Sequence, residues 1–115
     1  MKLSSDFLLK LFAALFALAA VYHLIGVFTP INSSPAWRHF IFVVINSFCV
    51  YGLLKRPEYF TFFFLFLMTQ QFYSHGKSII DQWNEGRIDW ISIVVLILMP
   101  MIFYHLLKES KVNSK

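Results

Sequence analysis

This 115-residue sequence has four histidines. Three of them, at positions 23, 39 and 75, each lie near the end of a different long apolar stretch. Imidazole binds metal ions and exchanges protons near neutral pH, so these side chains are the ones best suited to chemistry. Asn46 follows His39 by seven positions, almost two helical turns, and therefore shares its helix face. Gln71 precedes His75 by one turn. These spacings predict one polar, ligand-binding site formed by His23, His39, Asn46, Gln71 and His75.

Several ligands suit such a site. Three imidazoles at one level can hold zinc, copper or iron with a coordination position left open, which makes His23, His39 and His75 candidate metal ligands. Two of them can hold a haem, although diagonal helices suit a haem better than neighbours whose axes are about 8–10 Å apart. A quinone or a lipid headgroup can be held between aromatic rings and these polar groups. The sequence has no H-E-x-x-H or similar motif, so metal, haem and quinone stay open as cofactors.

A structural role is the alternative for the same residues. Within a membrane, His and Gln bond to each other and to backbone carbonyls, and so hold helices together. His105, beside Tyr104, is expected at the opposite membrane interface. No catalytic residue is predicted, because the adjacent Ser74 and His75 point about 100° apart on a helix. The acidic residues all stand at helix ends, which argues against a proton-coupled transporter with a membrane-embedded carboxylate.

The composition indicates where these residues are held. The chain is 58% apolar and 14% charged, whereas soluble domains are about 45–50% apolar and about 25% charged. A short soluble chain cannot bury so many large side chains. A spanning helix needs roughly 20 apolar residues, and four such runs occur at about 7–28, 37–54, 58–75 and 90–107. We therefore predict an all-α, four-helix antiparallel transmembrane bundle in a single domain.

Local signals place the ends of these helices. One of the serines at positions 4 and 5 is expected to cap the first helix. Ser34 is expected to cap the second, with Pro35 at its first position. Gly86 ends the third helix, and Asp89 caps the fourth. The predicted helices are about 5–28, 35–54, 57–85 and 89–107.

Helix geometry places the histidines at similar depth. His39 lies 17 residues before Arg56 and His75 lies 19 residues after it. On antiparallel neighbours joined at this hairpin, the two differ in height by roughly 3 Å. His23 lies about five residues inside the end of the first helix, at a comparable depth. The third helix, about 43 Å long, exceeds the roughly 30 Å hydrocarbon core, so its last turns are expected beyond the outer surface.

The charges predict the orientation in the membrane. Lys and Arg are enriched on short cytoplasmic segments, and here they concentrate at one set of helix ends. We expect both termini in the cytoplasm and the loops near 29–34 and 86–89 outside, in the cytoplasmic membrane if the source is bacterial. Since the net charge of +4 is spread over helix ends, it does not indicate nucleic-acid binding. The inner set is Lys2, Lys10, Lys55, Arg56, Lys108, Lys111 and Lys115, and the outer set is Arg38, Lys77 and Arg87.

Two features at the residue level need a separate interpretation. The first 20 residues have the outline of a signal peptide, with a positive start, an apolar middle and small residues after it. The apolar run nevertheless continues to Phe28, long enough to span, so we expect an uncleaved helix.

Cys49 is the single cysteine, and no internal disulfide can form. It is expected to be a small core residue.

The stretch AAVYHLIGVF, with His23 and Gly26, is followed by a proline turn and three further hydrophobic spans. In this arrangement the chain resembles the DoxX-like group of small four-helix membrane proteins. The resemblance implies a four-helix membrane fold and, from some members, a link to membrane redox and quinone chemistry. The stretches PAWRHFIFVVIN and TQQFYSHG match no described catalytic motif, so the resemblance implies no catalytic residue.

These observations lead to one functional hypothesis and one alternative. The hypothesis is a small polytopic membrane protein with a polar, histidine-containing pocket near the outer leaflet that binds a small ligand or a redox cofactor. The alternative is a non-enzymatic accessory subunit that packs against a larger membrane complex through its Phe-rich surface, including Phe62 and Phe66. The expected partners are the lipid bilayer and either a membrane-protein partner or further copies of the chain.

Overall fold

The computed structural model describes residues 4–31 and 33–113, with side chains described through residue 109. Four helices and no strand form this part of the chain: α1 (Ser5–Phe28), α2 (Ala36–Lys55), α3 (Glu58–Asn84) and α4 (Trp90–Asn113). The all-α prediction with four helices is confirmed. α4 continues past the predicted end near residue 107 because the tail is rich in straight-chain residues, which favour helix.

The chain divides into two compact units, Met1–Pro57 and Glu58–Lys115. The first unit is a hairpin of α1 and α2, and the second is a hairpin of α3 and α4. Two residues of the inner set of charges, Lys2 and Lys115, lie outside the described residues. The side chain of Lys111, from the same set, is also outside them.

The first hairpin is held at both ends by polar contacts. Ser4 caps α1 by accepting a hydrogen bond from the backbone N–H of Phe7 at 3.1 Å. At the open end of the hairpin, opposite the loop, the Arg56 guanidinium donates to Asp6 Oδ1 at 2.7 Å. At the loop end His23 contacts His39. Since the start of α1 meets the end of α2, and the reverse holds at the loop, the two helices run antiparallel.

The start of α2 differs from the prediction. α2 begins at Ala36, and Pro35, with φ −70° and ψ 158°, is extended and lies just outside the helix instead of at its first position. Pro35 therefore occupies the cap position predicted for Ser34, and no side chain of the cap residue bonds to the helix. Arg56 ends α2 in the left-handed conformation, with φ 54°. Cys49 is fully buried, as expected for a core residue. It lies in the core with Leu9, Phe12, Ala13 and Leu53.

The second hairpin has the predicted end signals. Asp89 caps α4, and its Oδ1 accepts the backbone N–H of Ser92 at 3.1 Å. Gly86 adopts φ 79°, a conformation that favours glycine, and its N–H bonds to the carbonyl of Trp83 at 3.0 Å. Both ends of the α3–α4 connection are therefore fixed by local chemistry.

Three of the four helices are long and apolar enough to cross a membrane: Ser5–Phe28, Ala36–Lys55 and Trp90–Glu109. This supports a membrane protein by length and composition. Among the described residues, α3 is not apolar enough to count as a candidate span, although it was predicted to be one. Its apolar run ends at Met68, and Thr69, Gln70 and Gln71 follow directly.

Candidate functional site

The loop end of the first hairpin brings two of the predicted site residues together. His23 near the end of α1 and His39 near the start of α2 lie with their Nδ1 atoms 2.9 Å apart. His39 is only 2% exposed. A hydrogen bond between two ring nitrogens needs one donor and one acceptor, so two neutral rings must be in opposite tautomers. One carries its proton on Nδ1, and the other carries it on Nε2.

Aromatic rings surround this histidine pair. Phe42, one turn after His39, stacks on His23 with ring centroids 5.1 Å apart and an interplanar angle of 24°. Tyr22 presents an edge-on geometry to both imidazoles, at 5.2 Å from His23 and 6.3 Å from His39. The guanidinium carbon of Arg38 lies 5.8 Å from the Phe42 centroid, within cation–π range. The pair is therefore flanked by flat aromatic surfaces, with a positive charge close by.

Gly26 makes this packing sterically feasible. A Cβ atom at this position would stand 2.7 Å from ring atoms of His39, closer than real Cβ contacts occur. Gly26 is buried, and its backbone lies directly against the imidazole. Sequence reasoning identified Gly26 near His23 but not its role under His39, since that role depends on the register of the hairpin.

The two predicted amides make their described bonds elsewhere. Asn46 is buried, and its Nδ2 donates to the backbone carbonyl of Phe42 at 2.7 Å, along its own helix. Gln71 is half-buried and donates to Gln70 Oε1 at 2.6 Å. Neither bond joins an amide to an imidazole. The support that Asn46 and Gln71 were expected to give a ligand stays a prediction.

His75, in the second hairpin, belongs to a separate polar network. Its Nδ1 lies 2.7 Å from Ser92 Oγ, which donates to Asp89 Oδ2 at 2.5 Å. Ser78 Oγ donates to the same carboxylate oxygen at 2.5 Å, and Gln82 donates to Ser78 at 3.3 Å. A serine hydroxyl has one hydrogen, and that of Ser92 is directed at Asp89. His75 Nδ1 is therefore the donor to Ser92, which places the lone pair of a neutral ring on Nε2.

The carboxylate of Asp89 accepts hydrogen bonds from both serines of this network. The hydroxyl of Ser78 and then that of Ser92 hold the pKa of the Asp89 carboxyl below its usual range, because both donate to the charged form. The arrangement is not that of a serine nucleophile. Ser92 is buried, and the imidazole donates to it instead of accepting its proton. The network's structural effect is to tie the polar part of α3 to the start of α4.

Ser78, Asp89 and Ser92 were absent from the predicted site. A signal for them existed in the sequence, since Asp89 was predicted to cap α4 and Ser92 is its third helical residue. His75 and Ser78 are three apart on one face of α3, so a short hairpin brings both to that cap.

The predicted metal ligands divide between the two hairpins. His23 and His39 contact each other, and His75 contacts Ser92. Over residues 4–31 and 33–113, no group of three or more His, Cys, Asp or Glu side chains is placed to hold a metal ion. A metal bound by His23, His39 and His75 stays a prediction.

Comparison with protein-family models gives no match. Curated proteins and solved structures give none either. The resemblance to the DoxX-like group therefore stays a prediction that rests on the residues around His23 and Gly26.

Proposed function

We propose that this chain is a small multi-pass membrane protein that binds a small ligand or a redox cofactor at the pair of His23 and His39. The observation that carries this proposal is the 2.9 Å contact between two imidazoles at the loop end of an otherwise apolar hairpin. Polar and ionisable groups at membrane depth are costly and commonly mark ligand or proton sites. Interhelical hydrogen bonding alone would be served by a single imidazole and a backbone carbonyl.

The proposed architecture has four antiparallel membrane-spanning helices. The apolar half of α3 forms the fourth span, and its polar half continues to the outer surface. Both termini lie in the cytoplasm, and the loops at the histidine ends of the hairpins lie outside, as the distribution of Lys and Arg favours. The histidine pair then lies near the outer leaflet. In a bacterial cell this is the cytoplasmic membrane.

The surroundings of the pair favour a flat, weakly polar ligand. Phe42 and Tyr22 supply ring surfaces, and the imidazoles supply an N–H donor and a lone pair. A quinone, which has carbonyl oxygens on a planar ring, suits the ring surfaces and can accept from the N–H donor. Such a ligand also agrees with the redox chemistry that the DoxX-like resemblance implies. A metal or haem would use the imidazole lone pairs and would need further ligands.

The test uses the full chain purified in mild detergent. An absorption spectrum, elemental metal analysis and mass spectrometry of an organic extract are compared for the wild type, His23→Ala and His39→Ala. We expect one bound species in the wild type that both variants lose. His105→Ala is the matched control, because His105 belongs to the other hairpin, where it contacts Tyr104, and should leave binding intact. A wild-type protein with no pigment, metal or extracted ligand would contradict the proposal.

One observation favours the accessory-subunit alternative. Phe62 and Phe66 of α3 are strongly exposed, although they are large and apolar. Affinity purification from native membranes tests this function. If a different protein co-purifies in a stoichiometric amount and is lost in Phe62→Ala and Phe66→Ala but retained in His39→Ala, the chain is an accessory subunit.

A further inference from the structure

One face of α3 carries an exposed apolar stripe along nearly its whole length. Its large members are Phe62, Phe66, Tyr73, Ile80 and Trp83, with exposed fractions of 71%, 77%, 76%, 62% and 69%. Thr69 and Gly76 fill the two intervening positions. The successive spacings are four and three residues throughout, which is the repeat with which one helix packs along another. We name these seven residues the α3 seam.

The opposite face of the same helix is already used. Phe60, Phe64 and Leu67 are buried, and further along His75 and Ser78 bond to residues at the start of α4. The α3 seam is therefore a second, separate face.

Lipid alone does not account for the pattern of the α3 seam. Up to Met68 the neighbouring residues are also apolar, as on any lipid-facing helix. Beyond Thr69 one flank of the seam becomes polar, with exposed Gln70, Lys77 and Asp81, whereas the other flank keeps Phe72, and the seam itself stays apolar. A stripe that remains apolar beside a flank that turns polar is typical of a protein contact.

Gly76 gives an independent indication. Glycine inside a helix costs about 1 kcal/mol relative to alanine. At Gly76 nothing lies within 4 Å of where a Cβ would be, and no positive φ requires glycine there. In contrast to Gly26, nothing within the described chain explains this residue. Small residues on a helix face let a second helix approach closely, and Gly76 lies in the part of the seam that follows Thr69.

We propose that the α3 seam is the contact between two copies of this chain, packed α3 against α3. With side chains of about 150–250 Å² each, the exposed parts of the five large residues offer on the order of 600 Å² per copy. Two copies would bury about 1,200 Å², the lower limit for a stable interface. The seam contains no charged residue, so self-association brings no like charges together along it.

Membrane insertion fixes the orientation of such a pair. Two copies inserted in the same direction must place their α3 helices parallel, related by a twofold axis along the membrane normal. Each seam residue then meets its own equivalent. Layers of Phe66, Tyr73 and Ile80 alternate with the small residues Thr69 and Gly76. This alternation of large and small residues allows the closest helix approach at Gly76.

The first experiment maps the seam by disulfide cross-linking in native membranes. Thr69→Cys and Ile80→Cys are made in a Cys49→Ala background of the full chain and oxidised with copper phenanthroline. We expect a cross-linked product at twice the chain mass for both. Asp81→Cys is the matched control, because it is exposed and adjacent to Ile80 but points about 100° away. Equal cross-linking at Ile80 and Asp81, no cross-linking at the seam, or a product of another mass would overturn the proposal.

The second experiment separates the contact from the fold. Gly76→Leu adds bulk where the chain has open space, so helicity and thermal stability of the monomer should be unchanged or slightly raised. Subunit counting by single-molecule photobleaching in dilute liposomes should show dimers for the wild type and monomers for this variant. Ala14→Leu, on an exposed face of α1, should stay dimeric. If the wild type is monomeric at every dilution, the seam contacts lipid instead of a second copy, and the proposal is overturned. This inference does not depend on any ligand at the histidine pair.

Discussion

Gly26 of α1 lies against the ring of His39 of α2, so that a Cβ on Gly26 would stand 2.7 Å from the imidazole. This contact links the close approach of two helices to the orientation of one functional side chain. The imidazole has little room to move away from Gly26, because His39 is buried and its Nδ1 contacts His23.

Gly26→Ala should therefore destabilise the first hairpin and displace His39. Overpacking of this kind costs about 1–3 kcal/mol, and any ligand bound by the histidine pair should be lost with it. Thermal unfolding in detergent and ligand content measure the two effects. Gly76→Ala is the matched control, assayed at a dilution where the chain is monomeric, and it should be neutral or stabilising because nothing surrounds that position. Equal losses in both variants would contradict the contact.

The histidine pair should show opposite tautomers. With Nδ1 atoms 2.9 Å apart, one neutral ring must donate and the other accept. Nitrogen-15 NMR of histidine-labelled protein at neutral pH should therefore find one ring of the pair protonated on Nδ1 and the other on Nε2. His23→Ala should remove one signal and shift that of His39, whereas His105→Ala should remove an unrelated signal. Two rings in the same tautomer would mean that the hydrogen bond is absent.

The link between Asp6 and Arg56 should stabilise the first hairpin at its open end. Arg56 donates to Asp6 at 2.7 Å and to the carbonyl of Leu53 at 2.9 Å, and its φ of 54° is unfavourable for a residue with a side chain. Arg56→Ala loses the ion pair and keeps the unfavourable left-handed backbone conformation, so it should lower the stability of the hairpin. Arg56→Gly loses the same pair but relieves the backbone, and should be less destabilised. If glycine is the worse substitution, the left-handed turn is not what limits this position.

The second hairpin should lose stability in acid through Asp89. Hydrogen bonds from Ser78 and Ser92 favour the charged carboxylate and lower its pKa from the usual 3.8. The stabilisation is then present above that value and is lost as the pH falls through the lowered pKa of the folded state. Asp89→Asn keeps an oxygen to cap α4 but does not titrate, so its thermal stability should depend less on pH below about 4.

Asp89→Ala completes this comparison. It removes the cap itself, which should cost about 1 kcal/mol even at neutral pH. Circular dichroism melts from pH 7 to pH 3 measure both variants. Parallel acid profiles for the wild type and Asp89→Asn would exclude Asp89 as the titrating group, and other carboxylates would then account for the acid loss.

Local chemistry was predictable from the sequence, and long-range pairing was less so. The caps at Ser4 and Asp89 and the turn at Gly86 depend on a few adjacent residues, and all three are found. The similar depth of His23 and His39 was predicted from their positions along the helices, whereas their direct contact is seen only in the structure. The ion pair of Asp6 and Arg56 joins residues 50 positions apart, and nothing in either neighbourhood indicates the other.

The predicted site illustrates the same limit. Periodicity placed Asn46 on the face of His39, but it did not reveal that the amide bonds to the backbone of its own helix. His75 was expected to contact a ligand, a glutamine or a backbone carbonyl, whereas in the structure it contacts the buried hydroxyl of Ser92. Which of several polar groups on one face finds a partner depends on hairpin register, and register is set by packing along the whole helix.

The two hairpins also bear on how the chain enters a membrane during synthesis. α1 and α2 are each apolar enough to partition alone, and they complete their own polar contacts before residue 58 is made. α3 is not, and its His75 and Ser78 find their hydrogen-bond partners only after Ser92 and Asp89 emerge. An insertion machinery that samples segments by hydrophobicity would retain α3 poorly by itself. On the proposed four-span architecture, insertion should therefore proceed in two steps, first α1 with α2 and then α3 together with α4.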